Sequence, residues 1–437
     1  MFRFDPDTKK ITQTNGDDAP IRDTYVKLTG GMNHQRGVLY EPVRPEEKSA
    51  VALVVIHSDD DYSDFPIVPA LARRGYRAFG GQVTGRTLDE KLLDIRRAVE
   101  FLRALPGVEK VVLLGHSGGA TLMTAYQRAA EQGIASLKGE DMLWKCALNE
   151  ELPPADGLLL LDANWGNCAM TLFSIDPAVT EEGCGVKLDP ALDAFAPENG
   201  FDPASSHYSR EFLARFFAAQ AARNDRIVEL ARERLRAIEA GEGRFEDDEP
   251  FFVAGAAQFA PCNKLFPQDI GLFAHTRGEY DLLCGDGSVT RGVVRSVRRP
   301  RFDRSATPRL MAAVQTTVRG FLSERAVYAL PGYGLREDGA EGICWDNVYC
   351  SAVPNVRRIH APLLCMGMTG GYEYLASEEI FHNAASADKS IAFVQGATHN
   401  FTPAHDAEAF PGQFGDTEGL VFDYVDGWLS APGRFLG

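Results

Sequence analysis

No apolar run in this sequence is long enough to cross a bilayer, so no membrane span is expected. Histidine is scarce, with nine residues, so few positions can supply an imidazole base. Positive charge is in deficit: 45 Lys and Arg stand against 61 Asp and Glu, a net charge of −16. That balance argues against nucleic acid and anionic membrane surfaces as partners. The eight cysteines, at 146, 168, 184, 262, 284, 344, 350 and 365, form no C-x-x-C pair and no Cys/His cluster. Neither a zinc site nor a disulfide framework is therefore expected, and no metal or organic cofactor is called for. The first ten residues are too polar for a signal peptide, which points to a cytoplasmic protein with reduced thiols. There is no internal repeat or low-complexity tract.

What is present is ordinary globular composition, 45% hydrophobic and 24% charged, over 437 residues. That length exceeds a usual single domain. Strand and helix patterns alternate from 50 to 163. Residues 50–56 form a β-branched run of the kind buried on both faces of a parallel sheet. Residues 24–28 and 37–40 read as an edge hairpin. Residues 88–105 have helical periodicity, with Leu92, Ile95, Val99 and Leu102 on one face. The rhythm stops after Ala163 and returns near 356, where 361–368 and 389–394 read as strands and 417–429 as a closing helix. Between them, 210–240 reads as a long helix, 251–303 as irregular apart from a hairpin around the Gly-Asp-Gly turn at 285–287, and 307–326 as a helix. The expectation is an α/β fold with a mostly parallel sheet and helices on both faces. Its core comprises 1–163 and 356–437, with a large, mainly helical cap at 164–355 inserted between core strands six and seven.

The organising stretch is Gly115-His116-Ser117-Gly118-Gly119, after five strand-forming residues and before a helix-prone segment. A serine at the apex of such a turn sits in a strained conformation. Small neighbours relieve the crowding, and the following helix N-terminus offers N–H groups to an anion. A serine hydroxyl needs a base, and the base needs an orienting partner. His399 lies just beyond the strand 389–394; its nearest rival, His405, lies further from the strand end. Glu373 is the acid nearest the end of the strand 361–368. Asp162, at the end of the preceding core strand, is the alternative acid.

The order Ser117, Glu373, His399 resembles that of the α/β-hydrolase superfamily, and the resemblance covers roughly the 240 core residues. It implies the fold and a serine-hydrolase chemistry, not a substrate. Gly118 and the Asp59 N–H, with Ser58 as the other choice for the second donor, would form the oxyanion hole. The His57-Ser58-Asp59 loop departs from the His-Gly many members carry. A carboxylate there would oppose an oxyanion, so Asp59–Asp61 must point outward or pair with a cation. Candidate pocket residues are Ser58, Tyr62, His116 and Trp165. The cap aromatics Phe212, Phe216, Phe217, Phe251, Phe252, Phe259, Phe266 and Phe273 are expected to pack a small core of their own. The resulting expectation is a carboxylesterase or lactonase acting on a moderately sized, apolar or aromatic small molecule through an acyl-enzyme. The alternatives are a C–C bond hydrolase of diketone-like compounds and a non-catalytic small-molecule binder. No nucleic acid or membrane partner is expected, and a homodimer is left open.

Overall fold

A computed structural model describes residues 20–182, 187–257, 264–301 and 313–436, with the backbone of 2–5 and 10–13. Phe259 and part of the helix expected at 307–326 lie outside the described residues. The edge hairpin is β1 (Ile21–Lys27) and β2 (Arg36–Pro42). Four parallel strands follow: β3 (Val51–Ile56), β4 (Arg77–Gly81), β5 (Lys110–His116) and β6 (Gly157–Leu161). They alternate with α1 (Ile67–Arg73), α2 (Leu88–Arg103) and α3 (Gly119–Gln132). All six residues of β3 and all five of β6 are buried, as continuous apolar runs in a sheet covered on both faces must be. Each of the four fully buried leucines of β6 contributes roughly 1.5–3 kcal/mol of burial free energy.

After β6 the chain runs through α4 (Asn167–Ser174) and the 30-residue α5 (Arg210–Glu239). Ser209 caps α5, accepting the Phe212 N–H at 3.1 Å. The rest of the insert is not mainly helical. It contains β7 (Pro250–Val253), β8 (His275–Leu283), β9 (Val289–Arg295), β10 (Val314–Thr317), β11 (Ala329–Arg336) and β12 (Gly339–Ile343), with only a short α6 (Val318–Glu324) where a longer helix was expected. The hairpin expected around the Gly-Asp-Gly turn is β8–β9. Its strands carry Glu279, Asp281 and Arg291 on one side, so they lack the apolar runs that mark the core strands.

The core resumes with β13 (Leu363–Met368), α7 (Tyr374–Asn383), β14 (Lys389–Val394) and α8 (Thr417–Leu429). The main sheet has ten strands in the order β9-β8-β14-β13-β6-β5-β3-β4-β2-β1. β8 pairs in parallel with β14, Leu282 opposite Phe393, so the insert extends the core sheet itself. Apolar residues of the insert, among them Phe212, Phe216, Ile227 and Phe321, belong to the same buried cluster as Phe79 and Leu158 of the core. Insert residues also meet the carboxyl ends of the core strands. Ser296 Oγ donates to the carbonyls of Thr369 and Gly371 at 3.1 and 3.0 Å. No described helix is long and apolar enough to cross a membrane.

Candidate active site

Ser117 follows β5 with φ +53°, a left-handed conformation that costs a non-glycine residue of order 1–3 kcal/mol. Each glycine of the motif has a steric reason. A Cβ on Gly115 would stand 2.6 Å from Ala120 Cα, and one on Gly119 would stand 2.9 Å from the Ile56 carbonyl oxygen. One on Gly118 would meet Ser58 Oγ at 2.7 Å. The turn can close against α3 and β3 only because these positions carry no side chain. Gly118 and Gly119 then present their N–H groups at the start of α3.

His399 reaches the same end of the sheet from the loop after β14. That loop is held by Thr398 N–H on the Thr402 carbonyl (2.7 Å) and by Gly396 N–H on Thr369 Oγ1 (2.8 Å). His399 Nδ1 is hydrogen-bonded to Asp162 Oδ2 at 2.7 Å. Asp162 is fully buried, sits at φ +42° after β6, and accepts the Met368 N–H on its other oxygen at 2.8 Å. The hydrogen bond expected from Glu373 is therefore made by Asp162 instead. Glu373 is mostly buried in the turn before α7, where its Oε2 accepts the Tyr372 N–H at 3.2 Å. The reason is local: Asp162 leaves β6 in a left-handed turn that directs its short side chain to the histidine loop, whereas Glu373 folds back on its own turn.

Glu373 is still close. Ligand atoms of Asp162, Glu373 and His399 all lie within 4.8 Å of one another. Burial alone would lower the His399 pKa, but Glu373 and Asp162 outweigh it and lift the imidazole to about 9. Burial pushes the Asp162 carboxyl upward, and its hydrogen bond to His399 opposes that. Three such groups could in principle hold a metal ion. Here Nδ1 of His399 is already engaged by Asp162, so a shared ion would have to break a 2.7 Å bond. Among the described residues no hydrogen bond joins Ser117 Oγ to His399. Catalytic hydrogen bonds are commonly long before substrate binds.

Two pocket candidates turn out to brace the histidine. Tyr62 OH is 2.7 Å from His116 Nδ1, and His116 Nε2 is 2.7 Å from the His399 carbonyl oxygen. A carbonyl only accepts, so Nε2 carries the proton and Nδ1 accepts from Tyr62. Burial holds His116 well below its usual pKa, hence neutral. Both residues are buried with their polar atoms satisfied, so neither lines a pocket. Trp165 is not a pocket wall either. It is fully buried, stacks on Phe273 at 4.9 Å and donates Nε1–H to Glu379 at 2.6 Å. Phe266 and Phe273 join Trp165 and Tyr372 at the seam between insert and core, not in a separate cap core, while Phe252 is exposed.

The loop after β3 differs most from expectation. The Asp59 N–H, expected in the oxyanion hole, points to His57 Nδ1 at 3.1 Å. The Asp59 carboxylate accepts from Ser58 Oγ (2.8 Å) and Asn167 Nδ2 (2.9 Å) and faces Lys91 (3.7 Å) and Arg325 (3.9 Å). Although burial opposes ionisation, these cations hold Asp59 well below the usual carboxylate range. The pairing with a cation anticipated for the acidic loop is present for Asp59. The Lys91 ammonium also binds the Ser58 carbonyl at 2.8 Å and Glu324 at 2.6 Å, deep between α2 and α6. Asn167, Lys91, Glu324 and Arg325 were not foreseen. Lys91 had a signal: it falls three residues after Leu88 and four before Ile95, on the apolar stripe of α2, where a lysine needs a buried partner.

A largely parallel sheet, a serine at a strained strand-to-helix turn, and a buried Asp–His pair supplied by later strand ends define the architecture. The chain has the α/β-hydrolase fold. No family model and no curated protein matches the sequence. Solved structures align over nearly its whole length at low identity. A hypothetical protein from Pseudomonas aeruginosa is 14% identical, covering 96% of this chain and 98% of that one, with a TM-score of 0.43. A carboxyl esterase from the fungus Tuber melanosporum is 9% identical over 98% and 90%, with a TM-score of 0.42. A siderophore hydrolase from Aspergillus fumigatus is 14% identical over 90% and 94%, with a TM-score of 0.40. At these scores the assignment of the fold rests on the strand topology and the elbow, not on the alignments.

Proposed function

We propose that this α/β-hydrolase-fold chain is a serine hydrolase of carboxylic esters or lactones, with Ser117 as nucleophile, His399 as base and Asp162 as the acid that orients it. The observation that carries the reading is the 2.7 Å His399–Asp162 hydrogen bond set beside a serine held at φ +53°. Asp162 bonded to Nδ1 leaves Nε2 to take a proton. Ser117 Oγ bonds to the carbonyl carbon, the carbonyl π pair moves to oxygen, and the hydroxyl proton passes to His399. The C–O bond to the leaving alcohol then breaks, and the alcohol departs with that proton. Water attacks the acyl-enzyme, gives its proton to His399 and releases the acid, and Ser117 regains its proton. No metal or organic cofactor enters these steps. The polar, charged rim around 57–59 and Arg325 favours substrates with a polar group near the scissile carbonyl over wholly apolar ones.

The test is covalent labelling and turnover. A fluorophosphonate should modify Ser117 alone, and Ser117→Ala should lose roughly 10⁵-fold or more of 4-nitrophenyl acetate hydrolysis. An unlabelled Ser117, or an alanine variant with wild-type turnover, would rule the reading out.

A further inference from the structure

Two donors are needed for a developing oxyanion, and the residue after the nucleophile supplies one, the Gly118 N–H. The second was expected from the Asp59 N–H, with the Ser58 N–H as the other choice; the Asp59 N–H donates to His57 Nδ1 at 3.1 Å. The consequence lies on the far side of the ring. A neutral imidazole carries one proton, and with Nδ1 accepting, that proton is on Nε2. Burial lowers the His57 pKa to about 4, against the opposing pull of Asp59 and Asp60, so near neutral pH the ring is a neutral donor. Nε2 has no hydrogen-bond partner among the described residues. It lies 3.2 Å from the point a Cβ on Gly118 would occupy, so it faces the elbow across the space that Gly118 leaves open. The ring is held in that pose by stacking on Tyr62, with centroids 4.9 Å apart and planes 14° from parallel.

The other side chains at this spot are committed. Ser58 Oγ, 2.7 Å from the same point, donates to Asp59, and so does the Asn167 amide, whose oxygen lies 3.4 Å away. Lys91 fixes the peptide between Ser58 and Asp59 from behind by holding the Ser58 carbonyl. We infer that His57 is a catalytic residue of the proposed hydrolase, whose Nε2–H joins the Gly118 N–H in binding the oxyanion in place of the Asp59 N–H. This rests on the serine-hydrolase reading and adds a side-chain donor to it. It also accounts for glycine at 118: any side chain there would stand between the imidazole and the reacting oxygen.

The imidazole's two nitrogens can be imitated separately. His57→Asn keeps an acceptor near Nδ1 to brace the Asp59 N–H but has no donor at Nε2. His57→Gln returns an amide N–H near Nε2. With 4-nitrophenyl acetate, His57→Asn should lose about 100-fold in kcat with KM within threefold, and His57→Gln should recover at least tenfold of that. Thermal melting of both variants separates folding from chemistry. If the asparagine variant does not fold, a folded glutamine variant within about tenfold of wild-type kcat supports the inference, and a folded one more than 100-fold down overturns it. Asparagine at wild-type kcat, or equal losses in both folded variants, overturns it as well and leaves His57 as a loop brace. If wild type shows no Ser117-dependent turnover, the hydrolase reading fails and this inference fails with it. If Ser117 is labelled and wild type is active while His57→Asn equals it, only this inference fails.

Discussion

The two flanks of Ser117 are built on different principles. On the histidine flank, Asp162, His399, His116 and Tyr62 all come from the core, at the ends of β6, β14 and β5 and in the loop after β3. Each holds the next by a hydrogen bond of 2.7 Å. On the other flank, loop 57–59 is held by charged and polar side chains of α2 and the insert: Lys91, Glu324, Arg325 and Asn167. The bonded groups of the first flank are all core residues, and the insert touches its surroundings through Ser296 on the Thr369 and Gly371 carbonyls. The second depends directly on the insert staying in contact with the core, because Glu324, Arg325 and Asn167 belong to the insert.

The largest effect that would break this comparison is expected on the histidine flank. Asp162→Asn should cost about 10⁴-fold in kcat, since the amide favours the wrong imidazole tautomer. Glu373→Gln should stay within about tenfold at its own pH optimum. If the two losses exchange places, Glu373 is the orienting acid after all.

Next is the buried ion pair. Lys91 and Glu324 each show only 8% side-chain exposure and bridge the two parts of the chain. Glu324→Gln leaves Lys91 poorly compensated and should destabilise the fold by about 3–5 kcal/mol in chemical denaturation. The double variant Lys91→Met, Glu324→Leu should regain most of that stability yet keep a lowered kcat, because nothing then holds the Ser58 carbonyl. Recovery of both properties together would mean that the pair serves folding only.

A smaller effect concerns pH. His399 must be neutral to act as base, and its pKa is lifted to about 9 although burial opposes the charge. The groups acting on it are Glu373 and Asp162, with neutral His116 and His57 adjacent and Arg298 of the insert facing Glu373. Activity should therefore rise with pH through about 9, and Glu373→Gln, by removing a negative charge, should move that limb to lower pH. A profile unchanged by Glu373→Gln would show that this carboxylate does not influence the base. Smallest is Trp165→Phe, which removes the 2.6 Å indole hydrogen bond from Trp165 to Glu379. It should lower stability by about 1–3 kcal/mol and leave KM unaltered, whereas a pocket wall would alter KM.

How far the sequence was legible follows the same division. Core strands showed as apolar runs, the elbow as a spaced pair of glycines, and His399 as a histidine just past a strand end. The triad order pointed to the histidine loop and to Glu373, whereas the carboxylate that bonds His399 is the alternative, Asp162. Distance from a strand end says nothing about a left-handed turn that swings one carboxylate inward and leaves the other on its own loop. The ties of Asp59 to Lys91 and Arg325, and of Lys91 to Glu324, span up to 266 residues of chain and have no local pattern beyond a lysine on an apolar stripe. The β8–β9 hairpin was legible from its turn, but the parallel pairing of β8 with β14 joins segments far apart in the chain and has no local pattern.

The central claim is that Ser117 is activated through His399 by Asp162. The most direct measurement is the rate at which a fluorophosphonate modifies Ser117, followed by intact mass and peptide mapping in wild type, Asp162→Asn and Glu373→Gln. The account predicts modification at Ser117, slowed by about 10⁴-fold in Asp162→Asn and by less than tenfold in Glu373→Gln. Modification elsewhere, or slowing in Glu373→Gln with Asp162→Asn unaffected, would contradict it.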